Sequence, residues 1–380
     1  MLNYHHPIFF SFFSRLLSGL CLGAALPVVA DTLSSDHQRY QVQTIADGLD
    51  YPWSITFLPT GEALVTERAG QLRRLVDNQL QEAPVSGVQE VAVGGQGGLF
   101  DVIADPDFAD NRRIYLSYAH GTAEGKTTRV ARAQYRDGAL SNLKVIFEAL
   151  PRSGTSRHFG GRMAFDDGGH LYISVGDRGQ KSRAQDTDDD AGGVHRITID
   201  GEPAMGNPFL FDDGAKDTLF TYGNRNIQGM TRHPQTNDIW THEHGPRGGD
   251  EVNILQAGTN YGWPAITYGI DYSGKPIADK TSLPGMAQPL HYWDPSIAPS
   301  GMAFYTGEQL PGWQGDLFVG ALKFQKIVRL RINDKQQVTE EEDLLADAGH
   351  RIRDIRQGPD GALWVLTDAS NGKVLKITAP

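Results

Sequence analysis

The feature that most constrains the fold of this 380-residue chain is an internal repeat, a hairpin that recurs six times. Each copy has a short apolar strand, a turn rich in Asp, Pro or Gly, and a second strand of alternating apolar residues, as in antiparallel pairs. The copies begin at Ile55, Leu99, Met163, Met230, Met302 and Ile355. They are spaced about 60 residues apart, whereas a four-stranded unit needs about 40. Long loops must therefore separate the strands.

Six such units in series predict an all-β fold, a six-bladed β-propeller of four-stranded antiparallel blades. The segments that start at Tyr40 and Lys373 both alternate as strands, near the two ends of the chain. Pairing of these N- and C-terminal strands would close the ring and hide its edges. A pair of β-sandwiches is the alternative, but it fits six copies of one hairpin poorly. The 44 glycines follow no collagen-like period and agree with many tight turns.

The N-terminus is typical of a targeting segment. Residues 8–30 are mostly apolar with Arg15 as the one charge, and small residues precede Asp31. This pattern predicts a secretory signal peptide over residues 1–30, cleaved after Ala30, with an uncleaved anchor as the alternative. Residues 31–380 would then form a single propeller domain without a membrane span. Cys21, the only cysteine, would leave with the signal peptide, and the mature chain would be periplasmic or secreted.

The charge of the chain limits its partners. Lys and Arg number 35 against 46 Asp and Glu, which gives a net charge of −11. Such a balance argues against nucleic acid and against an anionic membrane surface as partners.

Polar and cationic residues recur at one position of the repeat, just before the inner strand. They are Gln96, His158, Arg225, Asn226, Arg351 and Arg353. Propeller symmetry would bring these positions together at one end of the central channel, and Lys323 can reach the same face. Because the guanidinium fork suits carboxylates, the sequence predicts an anion site there. The alternative is that these residues are ordinary surface cations.

His158 is the best candidate for a general base, since it precedes an inner strand among glycines. Asp177 ends the outgoing strand of the same hairpin, which returns to the end where the first strand began. The two side chains are therefore expected to meet, and a neighbouring carboxylate orients a histidine and raises its basicity. The alternative is a structural histidine.

Two segments resemble metal sites. His242 and His244 could bind zinc, but the HExxH pattern is absent, and Glu251 with backbone carbonyls of the Gly-Pro turn suits calcium better. The acidic run 186–190 imitates an EF-hand. It lacks the required Gly and Glu, because Ala191 and Ile197 stand in their places, so a solvated loop is expected.

Taken together, these residues resemble the soluble sugar dehydrogenases that depend on pyrroloquinoline quinone (PQQ), the glucose/sorbosone dehydrogenase family. The resemblance spans residues 48–376. Its ordered marks include residues 95–99, 158–162, 225–229, 243–246, 260–264 and 351–354. The family fold is a six-bladed propeller, in agreement with the repeat.

The resemblance implies a set of roles. The positions that match PQQ contacts are Gln96, Arg225, Asn226, Tyr272, Lys323, Arg351 and Arg353. Ca²⁺ would bind the carbonyls of Gly245 and Pro246, and a second Ca²⁺ would bind Glu251 with the carbonyl of Tyr261. His158 would accept a proton from the anomeric hydroxyl of an aldose, Asp177 would orient His158, and Arg225 would stabilise charge on the quinone oxygen. The product would be an aldonolactone, with electrons passing to an unknown acceptor.

Two other functions stay open. A calcium-dependent propeller lactonase would place several carboxylates around a central metal, whereas the channel positions here are Gln, His, Arg and Lys. A propeller that only binds a sugar would not need the pair His158 and Asp177.

Overall fold

The computed structural model describes residues 1–2 and 32–380. Apart from Met1 and Leu2, the predicted signal peptide lies outside the described residues. Six antiparallel sheets follow one another along the chain, five with four strands and one with five. The predicted six-bladed β-propeller is thus confirmed.

Blades 1 to 3 are each built from four consecutive strands. Blade 1 contains β3 (Pro52–Phe57), β4 (Ala63–Glu67), β5 (Leu72–Val76) and β6 (Gln79–Leu80). Blade 2 contains β7 (Leu99–Ala104), β8 (Arg113–Thr122), β9 (Gly125–Arg136) and β10 (Ala139–Glu148). Blade 3 contains β11 (Met163–Phe165), β12 (Leu171–Ser174), β13 (Val194–Ile197) and β14 (Leu219–Thr221).

Blades 4 and 5 repeat this order, and blade 6 combines both ends of the chain. Blade 4 contains β15 (Ile227–Arg232), β16 (Ile239–Glu243), β17 (Asp250–Ile254) and β18 (His291–Trp293). Blade 5 contains β19 (Pro299–Phe304), β20 (Leu317–Ala321), β21 (Lys326–Ile332) and β22 (Val338–Leu344). Blade 6 contains β23 (Ile352–Gln357), β24 (Leu363–Thr367), β25 (Gly372–Thr378), β2 (Arg39–Leu49) and β1 (Thr32–Ser34).

The ring closes where β2 pairs antiparallel with β25, with Gln41 opposite Thr378 and Leu49 opposite Gly372. The predicted closure by the two terminal strands is confirmed. Because β2 from the start of the chain pairs with β25 from its end, blade 6 has no unpaired edge where the two ends of the chain meet.

Helical structure is sparse within the described residues. It consists of a four-residue α-helix (Phe108–Asn111) and two 3₁₀ turns (Lys181–Gln185 and Pro311–Trp313). The long loops predicted from the repeat spacing lie mainly in blades 3 and 4, over residues 175–193, 198–218 and 255–290. Within residues 1–2 and 32–380, no helix has both the length and the apolar character to cross a bilayer.

The apolar core is divided among the gaps between blades. Six buried clusters each lie between two neighbouring blades, for example Leu64 of blade 1 against Leu116 of blade 2. A seventh joins Trp53, Phe100 and Phe159 of blades 1, 2 and 3 near the central axis. Packing between blades therefore fixes the inner strands, whose first residues surround the channel.

Candidate active site

One end of the central channel opens into a cavity of about 420 Å³. The predicted residues that line it are Gln96, Asn226, Lys323, Arg351 and Arg353. Residues from all the blades reach it because each inner strand begins at this end. Three aromatic side chains, Trp53, Phe100 and Phe159, form an apolar part of the wall.

His158 and Asp177 form a direct pair at the edge of this cavity. Nδ1 of His158 lies 2.6 Å from Oδ1 of Asp177. The backbone of His158 has a positive φ of 53° and donates its N–H to the side-chain carbonyl of Gln96 (2.6 Å). The returning strand can approach this backbone because residue 176 is glycine, where a Cβ would lie 2.3 Å from the His158 carbonyl oxygen. The predicted meeting of the two side chains is confirmed.

Asp177 is held on both oxygens. Its Oδ1 also accepts the backbone N–H of Gly179 (2.7 Å), and its Oδ2 accepts the indole N–H of Trp263 (2.8 Å). Burial raises the pKa of this carboxyl, but the hydrogen bond to His158 and the neighbouring N–H groups outweigh burial, and the net pKa is lowered. Asp177 is therefore an anion at neutral pH, placed to accept the Nδ1–H of His158.

His158 is neutral under the same conditions. Burial is the largest effect and lowers its pKa, Asp177 raises it, Arg225 lowers it, and the net pKa lies below 6.5. Asp177 thus raises the pKa of His158 as predicted, but burial, which the sequence does not show, lowers it by more. With Nδ1 bound to Asp177, the Nε2 lone pair is available to accept a proton.

Arg225 is buried and stabilises the turn behind His158. Its Nη1 donates to the carbonyls of His244 (2.9 Å) and Gly245 (3.0 Å), and its guanidinium lies 5.4 Å from the ring centre of Trp263. Nε of Arg225 is buried without a partner among the described residues. The adjacent Asn226 accepts the backbone N–H of Gly160 through its side-chain oxygen (3.1 Å).

The cationic side of the cavity depends on an aspartate that the sequence analysis missed. Asp368 accepts from Arg351 (Nη2 to Oδ2, 3.0 Å) and from Arg353 (Nη2 to Oδ1, 3.0 Å). Arg68, also missed, lines the same cavity with the exposed Lys323. Four cations against one carboxylate leave the cavity wall positively charged, as the predicted anion site requires.

A smaller pocket beside the cavity is lined by three of the four residues predicted to hold a metal. Gly245, Glu251 and Tyr261 line it, together with Glu243, which the sequence analysis did not propose as a ligand. Glu243 and Glu251 stand opposite each other in the β16–β17 pair. Burial and the charge of Glu251 raise the pKa of Glu243 to about 8, and burial raises the pKa of Glu251 to about 7.

The zinc alternative does not fit the geometry. His244 has its Nε2 within 2.6 Å of the Pro299 carbonyl, and His242 is fully buried. Among residues 1–2 and 32–380, no group of three or more His, Cys, Asp or Glu side chains is arranged to hold a metal. A cation at the smaller pocket would therefore need backbone carbonyls as well as the two glutamates.

Two predicted cofactor residues do not line the cavity: Arg225 lines the smaller pocket, and Tyr272 lines neither. The side chain of Tyr272 is 69% exposed in the long loop of blade 4. Pro246 is buried in the turn after Gly245 and close to Gly269, which brings that loop against the metal-site turn.

Comparison with known proteins identifies the family. A sequence profile described as Glucose / Sorbosone dehydrogenase matches residues 49–376. The chain belongs to the glucose/sorbosone dehydrogenase family. It is therefore an oxidoreductase of that family, as the resemblance predicted.

Individual relatives agree with this assignment. The aldose sugar dehydrogenase YliI of Escherichia coli (strain K12) is 44% identical over 97% of this chain and 98% of its own length. The crystal structure of the soluble aldose sugar dehydrogenase of Escherichia coli in the apo-form has a TM-score of 0.87, covering 90% of this chain and 100% of that one. The PQQ-bound aldose sugar dehydrogenase of Streptomyces coelicolor has a TM-score of 0.73 at 26% identity, over 89% and 98% of the two chains.

This family member carries one signal that would have revealed the missed acidic residues. In four blades a carboxylate stands at or just after the end of the second strand. These residues are Glu67, Asp177, Glu243 and Asp368. Only Asp177 was proposed from this position, because its hairpin begins just after His158, the candidate base.

Proposed function

We propose that this protein oxidises aldose sugars at the anomeric carbon to aldonolactones, with PQQ and Ca²⁺ as cofactors and His158 as the general base. The observation that carries the proposal is the buried pair of His158 and Asp177 at the edge of a cationic cavity. A solved relative that binds PQQ supports the choice of cofactor.

The cavity fits PQQ by its chemistry. PQQ is flat and carries three carboxylates, and the wall combines aromatic side chains with Arg68, Lys323, Arg351 and Arg353. The unpartnered Nε of Arg225 and the side-chain amides of Gln96 and Asn226 add hydrogen-bonding capacity at the same end of the channel. When bound, PQQ supplies the quinone carbonyl that accepts a hydride.

The smaller pocket fits Ca²⁺. Two facing carboxylates, Glu243 and Glu251, are buried with raised pKa values, so a divalent cation would relieve their mutual repulsion. The carbonyls of Gly245, Pro246 and Tyr261 are hard oxygen donors of the kind that calcium prefers. The Gly245 carbonyl already accepts one hydrogen bond from Arg225 and has a second lone pair with which to bind the cation.

The side chains of this protein divide the reaction between them. His158 takes the proton of the anomeric hydroxyl at Nε2 while the hydrogen on that carbon leaves with its electron pair, which converts the alcohol to the lactone carbonyl. Asp177 holds Nδ1–H and stabilises the imidazolium that results. Arg225, with a guanidinium close to both His158 and Gly245, favours negative charge that develops beside it.

The test is dye reduction by the purified apo-protein mixed with PQQ, CaCl₂ and a panel of aldoses. We expect activity with at least one aldose, lost in H158A. The matched control is H170A, because His170 also pairs with an aspartate (Nδ1 to Oδ2 of Asp166, 3.1 Å) but lies in the turn between β11 and β12. Cofactor binding without reduction of dye by any aldose would contradict the proposal, and hydrolysis of lactones without PQQ would support a lactonase.

We also propose that the protein acts outside the cytoplasm after loss of residues 1–30. The apolar segment before Ala30 supports export, and the remaining chain has no cysteine. N-terminal sequencing of the protein recovered from the periplasm is expected to start at Asp31. An intact N-terminus in the membrane fraction would support the uncleaved anchor instead.

A further inference from the structure

Four charged side chains, three of them fully buried, meet behind the cavity wall at the centre of the ring. Nη1 of Arg162 lies 3.0 Å from Oδ1 of Asp354 and 3.7 Å from Oδ1 of Asp101. Arg356 approaches the same two aspartates, at 3.0 Å from Asp101 and 3.1 Å from Asp354. Arg162 is 1% exposed and both aspartates are 0% exposed, whereas Arg356 is partly exposed, so water reaches this cluster of two positive and two negative charges from the Arg356 side alone.

The aspartates of this cluster connect blades that are distant in sequence. Asp101 of blade 2 accepts the hydroxyl of Ser54 in blade 1 (2.6 Å) and the backbone N–H of Met163 in blade 3 (2.9 Å). Asp354 of blade 6 accepts the backbone N–H of Ile55 in blade 1 (3.1 Å). Gly301 of blade 5 also packs directly against Asp354, and a Cβ added at this glycine would lie only 2.1 Å from Oδ1 of Asp354.

Arg162 itself holds three residues of the cavity wall. Its Nε donates to the carbonyl of Gln228 (2.6 Å), and its Nη2 donates to the carbonyl of Arg353 (3.3 Å). Its guanidinium lies 4.1 Å from the ring centre of Trp53. Trp53, Gln228 and Arg353 all line the cavity, and they come from blades 1, 4 and 6.

A second buried arginine has its ion-pair partners within a single blade. Arg329 is also 1% exposed, and it pairs with Asp316 (2.5 Å) and Glu342 (2.7 Å). All three residues belong to blade 5 or its loop, and none lines the cavity. An arginine that only stabilises a blade thus finds its partners locally, whereas Arg162 is placed where the blades meet.

We propose that Arg162 is a positioning residue that sets the shape of the cofactor cavity by fixing Trp53, Gln228 and Arg353 against one another. This inference rests on the proposed function, in which the cavity holds PQQ. A lysine at position 162 keeps the charge beside Asp354 but cannot donate to the Gln228 and Arg353 carbonyls in the same fork geometry.

The experiment compares R162K and R162M with R329K and R329M. Each apo-protein is titrated with PQQ in CaCl₂ by quenching of intrinsic tryptophan fluorescence, and its Tm is measured. We expect all four variants to lose Tm, but only the Arg162 variants to raise the Kd for PQQ by about tenfold or more, as loss of an outer supporting contact does at other cofactor sites. Folded Arg162 variants with the wild-type Kd would overturn the inference.

Two further measurements keep the inference testable whatever the variants do. If neither Arg162 variant folds, S54A, which removes one hydrogen bond to Asp101, is titrated instead, and an unchanged Kd counts against the inference. If the wild-type protein binds no PQQ, the proposed function fails. Hydrogen exchange then decides the inference: amides of β15 and β23 must exchange faster in R162K than in R329K, and equal rates would overturn it.

Discussion

Asp177 and Asp368 occupy similar positions at the ends of second strands, in blades 3 and 6, yet they hold different partners. Asp177 accepts from a histidine, which can gain and lose a proton, while Asp368 accepts from two arginines, which stay charged. Both blades therefore supply a carboxylate at the same end of the channel. Its partner is set by the residues at the start of the inner strand in the same blade, His158 in blade 3 and Arg351 and Arg353 in blade 6. In the proposed reaction, the region of Asp177 would move a proton and the region of Asp368 would hold an anion.

Replacing each aspartate separates the two regions, and D177N has the largest expected effect. The neutral amide no longer stabilises the imidazolium or fixes Nδ1–H, so kcat should fall by roughly 10²–10⁴, by analogy with other histidine–aspartate pairs. The Kd for PQQ should change little. Steady-state kinetics and fluorescence titration measure both quantities, with D166N as control, because Asp166 pairs with His170 away from the cavity. A kcat within a few-fold of wild type would show that Asp177 is structural.

Lowering the pH should reduce catalysis through the pair of His158 and Asp177, but it should leave the charges of the arginines beside Asp368 unchanged. The pKa of His158 lies below 6.5, so log(kcat/KM) should be flat near pH 7 and fall with a slope of about one below that pKa, as the base is protonated. The unfolded chain binds this proton more readily than the folded one, so the contribution of His158 to stability falls as pH drops below about 6.5. An acid limb centred above pH 6.5 would contradict this assignment.

Removing Asp368 should disturb stability more than chemistry. D368N leaves the buried Arg353 without its carboxylate partner, and the free energy of unfolding should fall by about 3 kcal/mol. At saturating PQQ, kcat should stay within about threefold of wild type, since no proton moves through Asp368. Denaturant unfolding and kinetics test this contrast, and a loss of kcat as large as that of D177N would erase the distinction between the regions.

In blade 4 the carboxylate at the end of the second strand is Glu243. Its partner across the strand pair is a second carboxylate, Glu251, in place of a histidine or an arginine. Ca²⁺ should therefore raise the Tm of the apo-protein, with about 2.7 kcal/mol gained at a hundredfold excess over Kd. The gain should shrink strongly in E251Q and be reversed by chelation. An equal gain with Mg²⁺, or an undiminished gain in E251Q, would count against a calcium site at this pocket.

The sequence predicted what depends on local strand geometry. The six hairpins, the ring closure and the contact of His158 with Asp177 all follow from strands that return within one repeat or from the ends of the chain. Asp368 and Glu243 have their partners within their own blades and were missed because no role was sought at the ends of second strands in those blades. Trp263 was missed because its contact with Asp177 depends on the long loop of blade 4. The same loop places Tyr272 in solvent. The lowered pKa of His158 arises from burial, which only the packed blades create.

The smallest expected effect concerns Trp263, a loop residue that contacts both Asp177 and Arg225. Trp263 donates to Oδ2 of Asp177 and lies against Arg225, so W263F removes one hydrogen bond while it keeps an aromatic ring. A net loss of about 1 kcal/mol corresponds to a roughly fivefold fall in kcat. W293F is the matched control, because Trp293, in the outermost strand of blade 4, is about equally buried and donates to Glu341 of blade 5 (3.1 Å). Both variants should lose similar stability, but only W263F should lower kcat; equal kinetics would reduce Trp263 to a packing residue.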